Sequence, residues 1–219
     1  MSVAVQGSLF DGALLGEQPY DGAAGIGLTP LAGLVTRRVL GRGAWLDVLP
    51  NWLSGADEMF RHLRDVVAWQ AERRQMYERV VDVPRLLCFY GEDEPWPHPA
   101  LEAARDALSA HYAPELGEPF RTAGLCLYRD GRDSVAWHGD TIGRGKAEDT
   151  MVAILSLGAQ RELVLRPRGG GATIRNRLGP GDLVVMGGSC QRTWEHAVPK
   201  TARPVGPRIS VQFRPRGVR

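Results

Sequence analysis

His138-Gly139-Asp140, followed much later by His196, is the part of this chain best suited to chemistry. Two neutral imidazoles and a carboxylate can take one face of an octahedral divalent metal. The opposite positions then stay open for a small chelating ligand and for dioxygen. The donor set suits Fe(II), although manganese, cobalt or nickel could occupy the same site. His138 and Asp140 are two apart, so at the end of an extended strand both side chains point the same way. His196 must then come from a second strand, and Trp194-Glu195-His196-Ala197-Val198 has β character.

A second pattern lies near the C-terminus. In Arg208-Ile209-Ser210-Val211-Gln212-Phe213-Arg214, period-two alternation puts Arg208, Ser210, Gln212 and Arg214 on one strand face. Ile209, Val211 and Phe213 take the other. Two arginines on the polar face of an inner strand need anionic partners. A dicarboxylic acid would supply them, because a guanidinium grips a carboxylate in a planar two-bond fork.

These residues must be positioned by the elements around them. Residues 1–25 read as a flexible arm and 26–219 as one domain, with a helical and arm segment over 50–120 and a strand-rich core over 121–216. Ser54-Gly55-Ala56-Asp57 has the pattern of a capping box. Phe60, Leu63, Val67 and Ala71 continue from it at helical spacing, which predicts a helix through about Arg74. Pro99 is well placed to open a second helix with Leu101, Ala104 and Leu108 inward. Between them, Pro84–Gly91 reads as a short strand or hairpin arm. After Pro119, short β-type runs follow at Gly124–Tyr128, Met151–Leu157, Glu162–Arg166, Asp182–Met186 and Ile209–Phe213. Two helices and then many strands without interleaved helices predict a mainly β, α+β jelly roll with the helices packed on one sheet.

Bulk properties narrow the function classes. No apolar run is long enough to span a bilayer, and the N-terminus lacks the basic-then-apolar pattern of a secretory signal. Cys88, Cys126 and Cys190 form no CxxC pair, which argues against a disulfide scaffold and a structural zinc site. A reducing cytoplasm is the simplest setting, and a monomer is the expected state. Residues 161–219 hold 12 Arg or Lys against 3 acids, a balance of +9, whereas residues 1–160 hold 15 against 22, or −7. The basic C-terminal region could face a polyanion such as nucleic acid, or its arginines could be solvated or internally paired.

Together these motifs resemble the AlkB-type, 2-oxoglutarate- and Fe(II)-dependent dioxygenases. The resemblance covers about residues 80–215. It runs from Tyr128-Arg129-Asp130-Gly131-Arg132-Asp133 into His138-Gly139-Asp140, then through Ser156–Arg161, Gly181–Met186, Trp194–Lys200 and Arg208–Arg214. It implies a double-stranded β-helix of the cupin type, with a nucleotide-recognition arm over the iron. It implies that His138, Asp140 and His196 bind Fe(II) and that Arg208 pairs with the distal carboxylate of 2-oxoglutarate. Arg214, Ser210 and Tyr128 would lie along the cosubstrate. Arg85 and Tyr90 would contact the base from the arm. Apart from the resemblance, Arg144, Lys146 and Arg161 could contact phosphates, which would position a strand without reading its sequence.

The implied reaction is oxidative demethylation of N-alkylated bases in DNA or RNA. Dioxygen is consumed, and succinate, carbon dioxide and formaldehyde are released. A base inside a duplex cannot reach the metal, so a single strand or a flipped base is required.

Two departures and one further motif complete the reading. Cys126 stands where many members have asparagine. Thr141–Lys146, just after the HxD, lacks the acidic residue of many repair members. The second departure favours the same iron core acting on a metabolite, lipid or protein; a third reading is a non-catalytic nucleic-acid-binding module derived from this fold. Gln6-Gly7-Ser8-Leu9-Phe10 resembles the peptide by which bacterial repair proteins dock on the sliding clamp, with Gln6, Leu9 and Phe10 as contacts.

Overall fold

The computed structural model describes residues 25–76 and 79–218. Its strands are β1 (Gly27–Leu28), β2 (Thr36–Gly41), β3 (Ala44–Leu49), β4 (Leu53–Ser54), β5 (Gln70–Met76), β6 (Arg79–Tyr90), β7 (Thr122–Tyr128), β8 (Val135–His138), β9 (Val152–Gly158), β10 (Arg161–Pro167), β11 (Ile174–Leu178), β12 (Leu183–Gly188), β13 (Trp194–Val198) and β14 (Arg208–Arg214). Helices α1 (Ala56–Val66) and α2 (Pro99–Leu116) precede β7, and the single turn α3 (Cys190–Thr193) joins β12 to β13.

An eight-stranded sheet has the order β2-β3-β12-β9-β14-β7-β6-β5, and a four-stranded sheet the order β11-β10-β13-β8. All their pairings are antiparallel. From β7 onward the chain repeatedly crosses from one sheet to the other. That winding is the expected double-stranded β-helix.

Alternation along each strand divides the interior in two. Ile209, Val211 and Phe213 of β14, Ala153, Leu155 and Leu157 of β9, and Ala123, Leu125 and Leu127 of β7 join the core that contains Met59 and Leu63 of α1 and Leu101, Ala104 and Leu108 of α2. The opposite faces of the same strands look between the sheets. There Cys126, Tyr128, Val152, Ile154, Val184 and Met186 pack with Leu163 and Val198 of the smaller sheet. Arg208, Ser210, Gln212 and Arg214 share the parity of this second set, so the polar face of β14 points into the β-helix.

Several local expectations are corrected. The first helix ends at Val66, and Val67 is already extended. The periodic pattern to Arg74 is overridden because Gln70 and Ala71 pair with Leu87 and Leu86 in the β5–β6 ladder. The capping box does not form. Gly55 caps α1 in the left-handed conformation (φ 67°), and the Ser54 hydroxyl instead donates to the Gly27 carbonyl at 3.2 Å. Pro99 opens α2 as expected, with His98 Nδ1 accepting from Ala100 N–H at 3.0 Å. Strands β2 and β3 lie in a stretch without recognisable period. The clamp-type peptide with Gln6, Leu9 and Phe10 lies outside the described residues. No helix among the described residues is long and apolar enough to cross a membrane.

Candidate metal centre

The smaller sheet brings the distant histidine to the HxD. Strand β13 pairs with β8 so that His196 sits opposite His138, with ring centroids 4.2 Å apart. β8 ends at His138, and Asp140 lies just beyond it. There α3 holds it: the Gln191 side-chain oxygen accepts the Asp140 backbone N–H at 2.9 Å. Gly139 is the small residue this contact requires. A Cβ there would collide with the Gln191 carbonyl and stand 2.6 Å from the Arg168 guanidinium. Gly139→Ala is therefore expected to push α3 from the strand end. Metal affinity should fall about tenfold or more, and the fold should lose about 1–3 kcal/mol. Mn(II) titration and thermal melts of the variant check both numbers, and unchanged values would contradict the role.

The three candidate ligand atoms lie within 4.8 Å of one another, and His138 Nε2 is 3.7 Å from Asp140 Oδ1. His138 Nδ1 is 2.8 Å from the Ala136 carbonyl oxygen. A carbonyl only accepts, so Nδ1 carries the proton and Nε2 offers its lone pair to the shared space. Burial, together with the neighbouring His138, pushes His196 down to about 3 despite Asp140, so the ring is neutral. Burial pushes the Asp140 carboxyl up, but Arg214, His196 and His138 outweigh it and hold the group at about 2. Arg214 Nε donates to Asp140 Oδ2 at 2.9 Å. The neutral imidazole of His196 and the ionised carboxylate of Asp140 are in the states a divalent cation needs, and with His138 the donor set fits Fe(II).

The same cavity holds an anion-receptive group. Arg208 is 1% exposed, and its Nε donates to Ser156 Oγ at 2.9 Å. Its Nη1 is buried without a hydrogen-bond partner among the described residues. Burial lowers the guanidinium pKa below its ordinary value. The Tyr128 ring centroid lies 5.4 Å from this guanidinium. Burial also raises the Tyr128 pKa, which keeps the phenol protonated as a donor. A buried, incompletely paired cation lining the same cavity as a carboxylate–imidazole cluster fits a dicarboxylate whose other end reaches the metal.

His138, Asp140, His196, Arg208, Arg214, Ser210, Tyr128 and Arg85 all line this one cavity. Two expected substrate contacts do not. Arg161 is 4% exposed, and its guanidinium donates to the carbonyls of Asp130, Asp133 and Pro199 at 2.8–2.9 Å. It ties the β7–β8 loop to the segment after β13. Tyr90 is odd-to-even out of phase with Arg85 on β6, so it faces away from the cavity and packs on the helix-side core. Phe89, on the Arg85 side, is the exposed aromatic of that strand, at 42%. Three residues given no role by the sequence reading prove to be part of the site: Gln191, Ser156 and Gln212. Gln212 had been visible only as one of the alternating polar residues of its strand.

The fold and this three-ligand site are of the kind that the 2OG-Fe(II) oxygenases share. The chain belongs to the 2OG-Fe(II) oxygenase superfamily, whose family model matches residues 46–214. Within it, its relatives are AlkB-like. Bovine (Bos taurus) alpha-ketoglutarate-dependent dioxygenase alkB homolog 3 is 32% identical over 185 residues, covering 74% of this chain and 62% of that protein. The chain thus spans about three-fifths of the length of that relative. The bovine DNA oxidative demethylase ALKBH2 is 27% identical over an alignment of 223 residues, covering 90% of this chain and 78% of that protein. Among solved structures, a Pseudomonas putida prolyl-4-hydroxylase superposes with a TM-score of 0.56 at 17% identity, covering 78% and 93% of the two chains. The structure of OsALKBH1 gives 0.53 at 15% identity, covering 82% and 100%. At these identities the structural matches speak for the fold alone.

Proposed function

We propose that this protein removes alkyl groups oxidatively from nitrogen atoms of nucleobases in DNA or RNA. The observation that carries the reading is the pairing, in one cavity, of the His138–Asp140–His196 cluster with the buried guanidinium of Arg208. The nucleobase part rests on the AlkB-like relatives, one of which is named a DNA demethylase. It is also supported by cationic side chains left exposed near the smaller sheet, at Arg177, Lys200 and Arg203.

In this reading His138, Asp140 and His196 hold the metal, and Arg214 keeps Asp140 ionised and oriented. Arg208, held by Ser156, pairs with the far carboxylate of 2-oxoglutarate, while Tyr128 and Ser210 line its length. Bound together, iron, 2-oxoglutarate and dioxygen supply the oxidising power that hydroxylates a methyl carbon on nitrogen, with succinate and carbon dioxide as coproducts. The hydroxymethyl group then leaves as formaldehyde. Apolar Val135, Leu163 and Val198 exclude water from the cavity. At its rim, Arg85 donates to the Ser134 carbonyl at 3.1 Å while its buried Nε has no partner among the described residues. In this reading Arg85 is the contact to an incoming base.

The test mixes protein, Fe(II), 2-oxoglutarate and methylated single- and double-stranded oligonucleotides without oxygen, then admits oxygen. Loss of one methyl mass with stoichiometric formaldehyde is the expected result. Succinate without any change in the oligonucleotides would reject nucleobases as substrate and leave the absence of an acid in Thr141–Lys146 as the mark of a different one.

A further inference from the structure

The wall of the cavity between Arg208 and Asp140 is made by β14 and β7, where Ser210 pairs with Cys126 and Gln212 with Gly124. Gln212 carries the one carboxamide among the residues that line the cavity. Its Nε2 donates to Ser210 Oγ at 2.9 Å and to Cys126 Sγ at 3.4 Å, and its Oε1 accepts from Arg214 Nη2 at 3.4 Å. One of these contacts is strong. Sulfur is a weak acceptor, so the N–H aimed at Cys126 would gain by turning to an oxygen. The room for that turn comes from Gly124. A Cβ there would stand 3.2 Å from Gln212 Oε1 and 2.7 Å from Arg214 Nη1. Arg214 in turn holds Asp140, so the carboxamide lies at the metal side of the cavity rather than at the Arg208 side.

We infer that Gln212 is a cosubstrate-binding residue whose carboxamide donates to the metal-side, 2-oxo acid end of 2-oxoglutarate. The inference rests on the Fe(II)/2-oxoglutarate reading of this cavity. Arg208 and Gln212 then divide the cosubstrate between them: a cation for the distal carboxylate, a neutral donor for the chelating end. A thiol at position 126 cannot fill the second role, because S–H is a weak donor. The neighbouring strand fills it instead. Asparagine at position 126 would put a carboxamide on the same wall, one residue pair away, and should substitute for Gln212.

The test uses the full chain loaded with Mn(II) and measures 2-oxoglutarate binding by calorimetry, with metal binding measured separately. Gln212→Ala should raise the 2-oxoglutarate Kd about tenfold, about 1.4 kcal/mol, while the Mn(II) Kd stays within about twofold. Adding Cys126→Asn to Gln212→Ala should bring the Kd back to within about threefold of the parent. An unchanged 2-oxoglutarate Kd in Gln212→Ala overturns the inference. So does equal weakening of metal and cosubstrate, which marks a structural role, and so does failure of the asparagine to restore binding. Arg208→Ala is the control for the underlying reading. If the parent protein binds no 2-oxoglutarate, or binds it equally well without Arg208, that reading falls and the Gln212 role with it.

Discussion

Arg208→Met should abolish 2-oxoglutarate binding and, in the cofactor-free protein, raise the melting temperature. The two effects have one cause. Arg208 is 1% exposed; its Nε donates to Ser156 Oγ, and its guanidinium also lies against Tyr128. Its Nη1 is an orphan. The Arg161 guanidinium lies 5.6 Å from the same Tyr128 ring, so a second cation stands nearby and adds repulsion. Removing a cation from water costs several kcal/mol, and among the described residues no carboxylate is paired with Arg208 to offset it. Methionine fills most of the space with no charge to desolvate. The loss of the Ser156 partner returns about 1 kcal/mol of that gain. A net gain of about 1–3 kcal/mol remains, worth about 2–4 °C in melting temperature for each kcal/mol at this chain length. With 2-oxoglutarate present the sign reverses, because the parent protein gains the buried ion pair and the variant does not. Its Kd should rise at least about a hundredfold, or about 2.8 kcal/mol, with little change for Mn(II). Thermal melts with and without 2-oxoglutarate read both signs. A variant that is less stable without ligand, or that still gains stability from it, would contradict the account.

What the sequence disclosed of this site, and what it concealed, follows from the range of the interactions involved. The alternation in Arg208–Arg214 was legible because strand parity is local: one apolar residue facing the helices fixes where its neighbours point. The HxD was legible for the same reason. Gln191 was not, since its use depends on how closely α3 approaches Gly139, a distance set by two sheets. The overrun of α1 came from Val67 and Ala71, which keep helical spacing, but Val67 is already extended and Ala71 is claimed by a ladder with Leu86, some fifteen positions downstream. β3 was hidden because its interior includes Asp47, 2% exposed. That carboxylate is acceptable there only because Arg37 donates to it at 2.7 and 2.8 Å and Tyr112 at 3.0 Å. The basic C-terminal third misled in a similar way. Arg216 pairs with Glu92, Arg192 with Asp149 and Arg166 with Glu195, while Arg161 is buried on carbonyls. Part of the local excess is thus matched by Glu92 and Asp149 from the earlier part of the chain. What remains available to a polyanion is narrower than the composition suggests, centred on Arg177, Lys200 and Arg203.

The metal-free protein should also lose stability in mild acid, well above the pH at which its carboxylates protonate. His196 is the cause. In the unfolded chain its imidazole takes a proton near 6.5, whereas in the fold burial and the neighbouring His138 hold it at about 3. Between these values the unfolded state binds more protons than the folded one. Stability therefore rises with pH across the window and is lost progressively as pH falls from about 6.5 toward 3. Asp140 acts in the same direction over a lower range, because its folded value of about 2 lies under the ordinary carboxylate value of 3.8. A shift of the size seen at His196 is worth roughly 3–5 kcal/mol when fully expressed. Against a total stability of about 5–15 kcal/mol, that is enough to move the unfolding midpoint visibly. His196→Leu, neutral and apolar in the same buried place, should flatten the curve between pH 6.5 and about 4. A saturating divalent metal should do likewise in the parent protein, because it competes with protons for the same nitrogen. Melting temperatures from pH 8 to pH 4, in chelator and in Mn(II), decide the matter. Parallel curves for the parent and His196→Leu in chelator would show that the acid sensitivity arises elsewhere in the fold.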